Sequence, residues 1–180
     1  PTIIPHAELY AKDQYMAQFR GNFEPEKVFK GTDSGPGFRK GAYGSQPESH
    51  AAFAGMIKQL DDYVGEIIAS ISELGLEKNT IVIFSSDNGP HLEGGADPDY
   101  FNSNGKFKGY KRDLYEGGIR VPFIVRWPGK VKQGRISDHV SAFWDIMPTF
   151  AEAAGIDAPE ETDGISFLPE LLGRKQKDHE

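Results

Sequence analysis

The chain has 180 residues, a formal net charge of −7 and no cysteine. A domain of about this size buries roughly 70% of the surface that its unfolded chain exposes, so one sizeable core is possible. The acidic balance disfavours a nucleic-acid partner, which would need a basic face. No apolar run approaches the ~18 residues that would predict a membrane-spanning helix. The missing cysteines exclude disulfides, thiolate metal sites and a cysteine nucleophile within these residues.

The first 47 residues combine one short predicted helix with much irregular chain. Residues 1–9 surround the pair Pro5-His6 and show no sustained period. Residues 10–19 favour a brief helix, because their apolar side chains would share one face. Residues 22–47 are rich in glycine, proline, serine and lysine and predict a long surface loop. Loops of this length are usually functional or mobile.

A long amphipathic helix is predicted over residues 48–74. Its apolar residues recur at steps of three and four, which places them on one helix face. These residues are Phe53, Met56, Ile57, Leu60, Val64, Ile67, Ile68, Ile71 and Leu74. Gly75 is a natural end for the helix. Asp61 and Asp62 lie on its polar side, and we interpret them as solvated rather than as a metal-binding pair. A short connection leads to the next strand, so we expect the helix to pack on a sheet.

Two strands are predicted, over residues 80–84 and 121–127. Both runs are short, apolar and rich in β-branched or aromatic residues, as in strands that are buried on both faces of a parallel sheet between helices. A further helix is predicted over residues 145–154, with Asp145 as its N-cap and Gly155 as its end. The alternation of helices and strands predicts an α/β fold.

Polar residues follow the first predicted strand directly. The sequence there reads Asp87-Asn88-Gly89, immediately after an apolar run. Such a triplet is good turn chemistry, because aspartate and asparagine close turns and glycine accepts positive φ. It is also placed where ligands collect in open α/β sheets, outside the carboxyl ends of the strands. These residues alone leave both interpretations open.

A second motif closely resembles the sulfatase family. Members of that family carry a strand that ends in Asp-Asn-Gly, and later a lysine five residues before Glu-Gly-Gly-x-Arg-x-Pro. Lys111 stands at that lysine position, because Glu116 opens the second motif. Further signals follow in the family order: Pro5-His6, Trp127-Pro128-Gly129, Asp145-x-x-Pro148-Thr149 and Asp163-Gly164. The resemblance covers essentially the whole chain.

The resemblance implies the fold of the alkaline phosphatase superfamily, an α/β sandwich with a mostly parallel sheet flanked by helices. It implies a calcium ion, for which Asp87 and Asn88 supply hard oxygen ligands. It implies that Lys111 contacts the sulfate of a sulfate ester, and that His6 is a second sulfate contact or a proton donor. The family nucleophile is a formylglycine hydrate made from cysteine or serine, and the family suggests a periplasmic or secreted protein.

The chain departs from the family at the nucleophile. The family signature is Cys/Ser-x-Pro-x-Arg, and the two stretches that begin correctly, residues 34–38 and 45–49, lack the final arginine. We therefore expect residues 1–180 to be the carboxyl-side segment of a sulfatase catalytic domain. The formylglycine and the remaining metal ligands are expected upstream. The segment alone is expected to be inactive and to bind calcium poorly.

Two other functional classes remain open. A phosphohydrolase or phosphonate hydrolase of the same superfamily would share the fold and a metal site, and a degenerate sulfatase would act as a noncatalytic binding module. Lys108 and Arg112 are interpreted as solvated cations or substrate-rim contacts. His91 is interpreted as an ordinary loop histidine. The residues from Glu116 to Arg120 are interpreted as structural. The particular sulfate ester and the oligomeric state do not follow from the sequence.

Overall fold

The computed structural model describes residues 2–36 and 43–177 of the chain. The helices are α1 (Asp13–Met16), α2 (Ser49–Glu73), α3 (Glu116–Ile119), α4 (Ile146–Ala154) and α5 (Leu168–Leu171), and the strands are β1 (Val82–Ser85) and β2 (Phe123–Arg126). Short 3-10 turns lie at Glu77–Asn79, Glu93–Gly95 and Phe143–Asp145. The chain divides into two compact units, one of Pro1–Glu73 with Phe84–Phe123 and one of Leu74–Ile83 with Ile124–Glu180.

The core of the first unit forms where α1 meets the beginning of α2. Its buried members are Leu9, Ala11, Tyr15, Met16, Ala51, Ala52, Met56 and Ala96. The predicted helix in residues 10–19 is confirmed in type, although α1 is only four residues long. Gly55 of α2 lets the chain around α1 approach closely, because a Cβ there would lie 3.1 Å from the Ala11 Cβ and 3.4 Å from the Met16 nitrogen. The core is therefore small, and it is built by the amino-terminal part of the unit.

Helix α2 matches the predicted bounds, but its burial differs from the prediction. Its buried residues all lie between Ser49 and Gln59. Farther along the same face, Ile67 is 57% exposed. At 1.5 Å per residue, α1 is about 6 Å long and α2 about 37 Å. The expectation of a continuous buried face against a sheet is therefore wrong, because the first half of α2 packs against the short helix α1 and the second half extends beyond it.

The two predicted strands form and pair with each other in a two-stranded sheet. Near one end, the Ser85 hydroxyl donates to the Pro122 carbonyl at 3.0 Å. Near the other, Arg126 Nη2 donates to Glu77 Oε1 at 2.6 Å, so the strands run antiparallel. Strand β1 is half-buried, and Ile124 in β2 is 61% exposed. The prediction of strands buried on both faces is therefore wrong here, because each strand of a two-stranded sheet is an edge.

The second unit is organised around a buried aspartate. Helix α4 has nearly the predicted bounds, and it ends at Gly155, which has a φ of 73°. Asp145 is fully buried but makes no side-chain cap to α4. Its carboxylate instead accepts hydrogen bonds from the backbone N–H groups of Ala142 at 2.7 Å and Ile165 at 2.9 Å. Asp145 therefore has the predicted N-cap position, but its side chain does not cap α4, because it binds Ala142 at the start of the preceding 3-10 turn and Ile165.

The long loop predicted over residues 22–47 is confirmed where the structure describes it. Its one regular feature is an isolated antiparallel bridge between Phe29 and Gln46. Residues 37–42 of this loop lie outside the described residues. Among the helices that the structure describes, none combines the length and the apolar character needed to cross a bilayer.

Candidate active site

The loop after β1 is held against α3 by close backbone contacts. The Gly89 N–H donates to the Gly118 carbonyl at 2.9 Å. A Cβ at position 89 would lie 1.9 Å from the Gly117 carbonyl oxygen, and one at position 117 would lie 2.2 Å from the Gly109 carbonyl oxygen. Side chains at these positions are sterically excluded. The two motifs of the sequence therefore meet through their glycines, which supports the structural interpretation of the Glu116 segment.

Asp87 and Asn88 lie at the carboxyl end of β1, as the sequence predicts. The Asp87 side chain is exposed, and Asn88 is half-buried. Asn88 Nδ2 donates to the Gly89 carbonyl at 2.9 Å, which leaves the side-chain oxygen of Asn88 without a hydrogen bond in the described part of the chain. A carboxylate and an amide oxygen suit a hard cation such as calcium. They are two of the six to eight oxygens that calcium takes.

His6 and Lys111 are brought together across 105 residues of sequence. Lys111 Nζ lies 3.0 Å from His6 Nε2, and His6 Nδ1 lies 2.8 Å from the Ala7 carbonyl oxygen. Because a carbonyl only accepts, Nδ1 carries the proton and Nε2 accepts from the lysine ammonium. The Lys111 backbone N–H donates to the Pro90 carbonyl at 2.8 Å, which fixes this residue beside the loop after β1.

His91 belongs to the same cluster, which the sequence analysis did not predict. Its ring stacks on the His6 ring, with centroids 4.6 Å apart. His91 Nε2 lies 3.2 Å from the Pro5 carbonyl oxygen, and Nδ1 accepts from the Glu93 N–H at 3.2 Å. Burial is the main cause that lowers the pKa of His91, and the charges of His6 and Lys111 lower it further against the opposing effects of Pro5 and Glu93. The neutral ring therefore dominates near pH 7.

Glu93 completes the cluster and pairs with Arg112 through Oε1. Its Oε2 is buried, lies 3.1 Å from His91 Nδ1 and has no hydrogen-bond partner in the described part of the chain. That contact is an ion pair only when His91 is protonated. The lowered pKa of His91 opposes this protonation. Burial raises the pKa of Glu93, but hydrogen bonds from Arg112 and the Glu93 backbone, with the nearby positive charges, outweigh it and lower the pKa overall.

The neighbouring cations have other partners. Lys108 Nζ lies 4.1 Å from the centroid of the Tyr115 ring. Arg112 has a φ of 79°, which is uncommon for a residue with a side chain, and its side chain is 73% exposed. Lys111 is therefore the cation of this segment that contacts His6. Nothing in the local spacing of His91 and Glu93 pointed to them, because their contacts with His6, Pro5 and Arg112 exist only in the folded chain.

Comparison with known proteins gives a consistent result. A sequence profile of the Sulfatase family matches residues 1–156. The steryl-sulfatase of Rattus norvegicus is 38% identical over 136 residues, which is 73% of this chain and 24% of that protein. The N-acetylgalactosamine-6-sulfatase of Mus musculus is 36% identical over 124 residues, which is 68% of this chain and 24% of that protein.

A solved structure extends the similarity to nearly the whole chain. The crystal structure of Ps i-CgsB superposes with a TM-score of 0.72 at 29% identity, covering 96% of this chain and 32% of that one. The chain thus spans about a quarter of the length of the curated relatives described above. The expected α/β fold of the alkaline phosphatase superfamily is confirmed by this similarity.

Proposed function

This chain belongs to the sulfatase family, and on that basis we propose that the protein that carries it hydrolyses sulfate esters. In this proposal residues 1–180 are the carboxyl-side segment of the catalytic domain, which agrees with the share of the relatives that the chain covers. The relatives are named for different substrates, a steryl and an N-acetylgalactosamine-6 sulfate. We therefore propose sulfate esters as the substrate class and name no particular ester.

The observation that carries the proposal is the contact between Lys111 and His6 at 3.0 Å. An ammonium group about 4 Å from an anion contributes ~4 kcal/mol at an effective dielectric near 20, before desolvation costs. A sulfate group that takes the Lys111 ammonium as its counter-charge leaves His6 Nε2 free to exchange a proton with a substrate oxygen. The Ala7 carbonyl keeps the proton on Nδ1 and so holds the ring in the required tautomer.

Asp87 and Asn88 are proposed as two ligands of a divalent cation, with calcium as the best match to their oxygens. When bound, such a cation would stabilise negative charge on the substrate. Because the two side chains supply only part of a calcium coordination shell, we expect them to bind the ion weakly in this chain alone. The formylglycine nucleophile is proposed to lie in a part of the protein outside these 180 residues, so the chain alone should not turn over sulfate esters.

The test is steady-state kinetics on the whole protein, with an aryl sulfate and an aryl phosphonate monoester as alternative substrates. Lys111→Ala should lower turnover of the sulfate by about 10² or more, because a preorganised contact to developing charge is lost. Lys108→Ala is the matched control, since that ammonium lies over the Tyr115 ring, and it should change turnover far less.

Three outcomes would contradict the proposal. Preferential hydrolysis of the phosphonate would favour the phosphonate hydrolase alternative. No turnover of either substrate by the intact protein would favour a noncatalytic binding module. Equal losses at Lys108 and Lys111 would show that the sulfate contact is assigned to the wrong residue.

A further inference from the structure

The rings of His6 and His91 share one feature beyond their stacking. Each directs one nitrogen at a backbone carbonyl: His6 Nδ1 at Ala7, 2.8 Å away, and His91 Nε2 at Pro5, 3.2 Å away. Because carbonyls only accept, each neutral ring carries its proton there and has a lone pair on its other nitrogen. Metal-binding histidines are oriented in this way, with one nitrogen donating to a carbonyl and the other binding the ion.

A carboxylate oxygen lies beside these lone pairs. Glu93 Oε2 is buried, has no hydrogen-bond partner in the described part of the chain and lies 3.1 Å from His91 Nδ1. A buried carboxylate oxygen without a donor is costly, and here it faces a nitrogen that also accepts. One donor atom from each of His6, His91 and Glu93 lies within 4.8 Å of the others. Of these three acceptors only Glu93 Oε2 lacks a donor, because His6 Nε2 accepts from Lys111 and His91 Nδ1 accepts from the Glu93 N–H. A cation placed among them would give this oxygen its missing partner.

We propose that His6, His91 and Glu93 form a binding site for zinc or a similar transition-metal dication. Two imidazoles and one carboxylate are a typical zinc ligand set, whereas calcium prefers oxygen alone. Its donors are two nitrogens and one oxygen, unlike the oxygen pair of Asp87 and Asn88. Zinc–nitrogen distances are about 2.0–2.1 Å, so binding requires the three side chains to draw together around the ion.

Lys111 competes with the metal in this site. Its ammonium group lies 3.0 Å from His6 Nε2, the lone pair that the metal would use. Zinc binding must displace this ammonium, whose positive charge opposes the ion. The ion would also occupy the nitrogen that is proposed above to exchange a proton with the substrate, so the two roles of His6 exclude each other at any one time. Removing the lysine side chain should therefore tighten zinc binding. This effect has the opposite sign to the loss of turnover expected for the same substitution, so the metal site and the proposed sulfatase function are tested separately.

The experiment is calorimetric titration of the whole protein, first freed of bound metal by a chelator, with ZnCl₂, and with CoCl₂ as a spectroscopic probe of coordination. We expect one zinc per chain, a visible absorption band typical of low-coordinate cobalt, and no displacement of zinc by excess calcium. Glu93→Gln and His6→Gln should each weaken zinc binding by about tenfold or more, a loss that even indirect ligand support commonly causes. Lys111→Ala should strengthen it by severalfold.

His139→Gln is the matched control, because His139 is outside the cluster, and its zinc affinity should equal that of the parent. Circular dichroism of each variant confirms that α2 is retained. His91→Gln should weaken zinc binding in the same way if the variant folds. Because His91 is buried, Glu93→Gln and His6→Gln decide the question if it does not. The proposal is overturned if the chain binds no zinc, if both of these variants keep the parent affinity, or if the control loses it.

Discussion

The first unit contains two histidine clusters, one around His50 and one formed by His6 and His91. All three rings are buried or half-buried, yet their nitrogens have different partners. His50 is 3% exposed, with Nδ1 at 3.2 Å from the Phe23 carbonyl oxygen and Nε2 at 3.2 Å from Asp97 Oδ2. Both nitrogens of His50 therefore face oxygen acceptors. In the other cluster, one nitrogen of each ring faces a carbonyl, whereas His6 Nε2 faces the Lys111 ammonium and His91 Nδ1 accepts from the Glu93 N–H.

We expect this difference to separate a structural histidine from a reactive one. His50 also stacks on Tyr100, with ring centroids 3.8 Å apart, so its ring is held on its face as well as at its edges. A ring whose nitrogens are both turned to acceptors offers no lone pair to a substrate or a metal. The His6 ring differs, because its Nε2 faces the Lys111 ammonium rather than an oxygen acceptor and keeps its lone pair.

The same substitution in the two clusters tests this contrast. His6→Gln should lower the turnover of sulfate esters by the whole protein by about 10² or more, the usual contribution of a positioned proton-transfer group. Its unfolding midpoint in urea should stay near that of the parent, because His6 is half-buried and outside the core. The matched variant His50→Gln should keep its turnover per folded molecule. A His6→Gln enzyme with parental turnover would place the proton transfer elsewhere.

His50→Gln should instead lower stability. The substitution removes the aromatic stack on Tyr100 and weakens the hydrogen bonds to Phe23 and Asp97, and we expect a loss of about 2 kcal/mol in the free energy of unfolding. Urea denaturation followed by circular dichroism measures this loss. An unchanged midpoint would show that His50 is not a structural clamp, and the contrast between the clusters would fail.

The sequence predicted the elements better than their burial. The period of α2 and the end of α4 at Gly155 follow from local patterns, and both are confirmed. The exposure of Ile67 depends instead on the length of α1. The apolar pattern of residues 48–74 gives no information about that length. The same holds for Asp145, whose carboxylate binds backbone groups on both sides in the sequence rather than its own helix.

The candidate site was predictable only where a motif specified it. Spacing from Glu116 selected Lys111 among three cations, and the structure places Lys111 against His6. His91 and Glu93 were missed because their significance depends on contacts across the fold, such as the bond from His91 to Pro5 over 86 residues. Local sequence around His91 resembles an ordinary turn. Tertiary contacts, rather than residue type, distinguish it.

The smallest expected effect concerns Asp97 and its dependence on pH. Burial raises the pKa of Asp97, but hydrogen bonds from His50 and the Tyr100 N–H, with Lys27 nearby, outweigh it and lower the pKa below the ordinary value of 3.8. A lowered carboxyl pKa stabilises the fold above the unfolded-state value, and this contribution is lost as pH falls through the folded-state value. Asp97→Asn should therefore cost about 1 kcal/mol of unfolding free energy at pH 7, and the difference from the parent should shrink below about pH 4.

Urea denaturation between pH 3 and pH 7 measures this difference, with Asp61→Asn on the exposed side of α2 as the control that should show almost no difference. A difference that stays constant over this range would mean that the charge of Asp97 does not stabilise the His50 cluster.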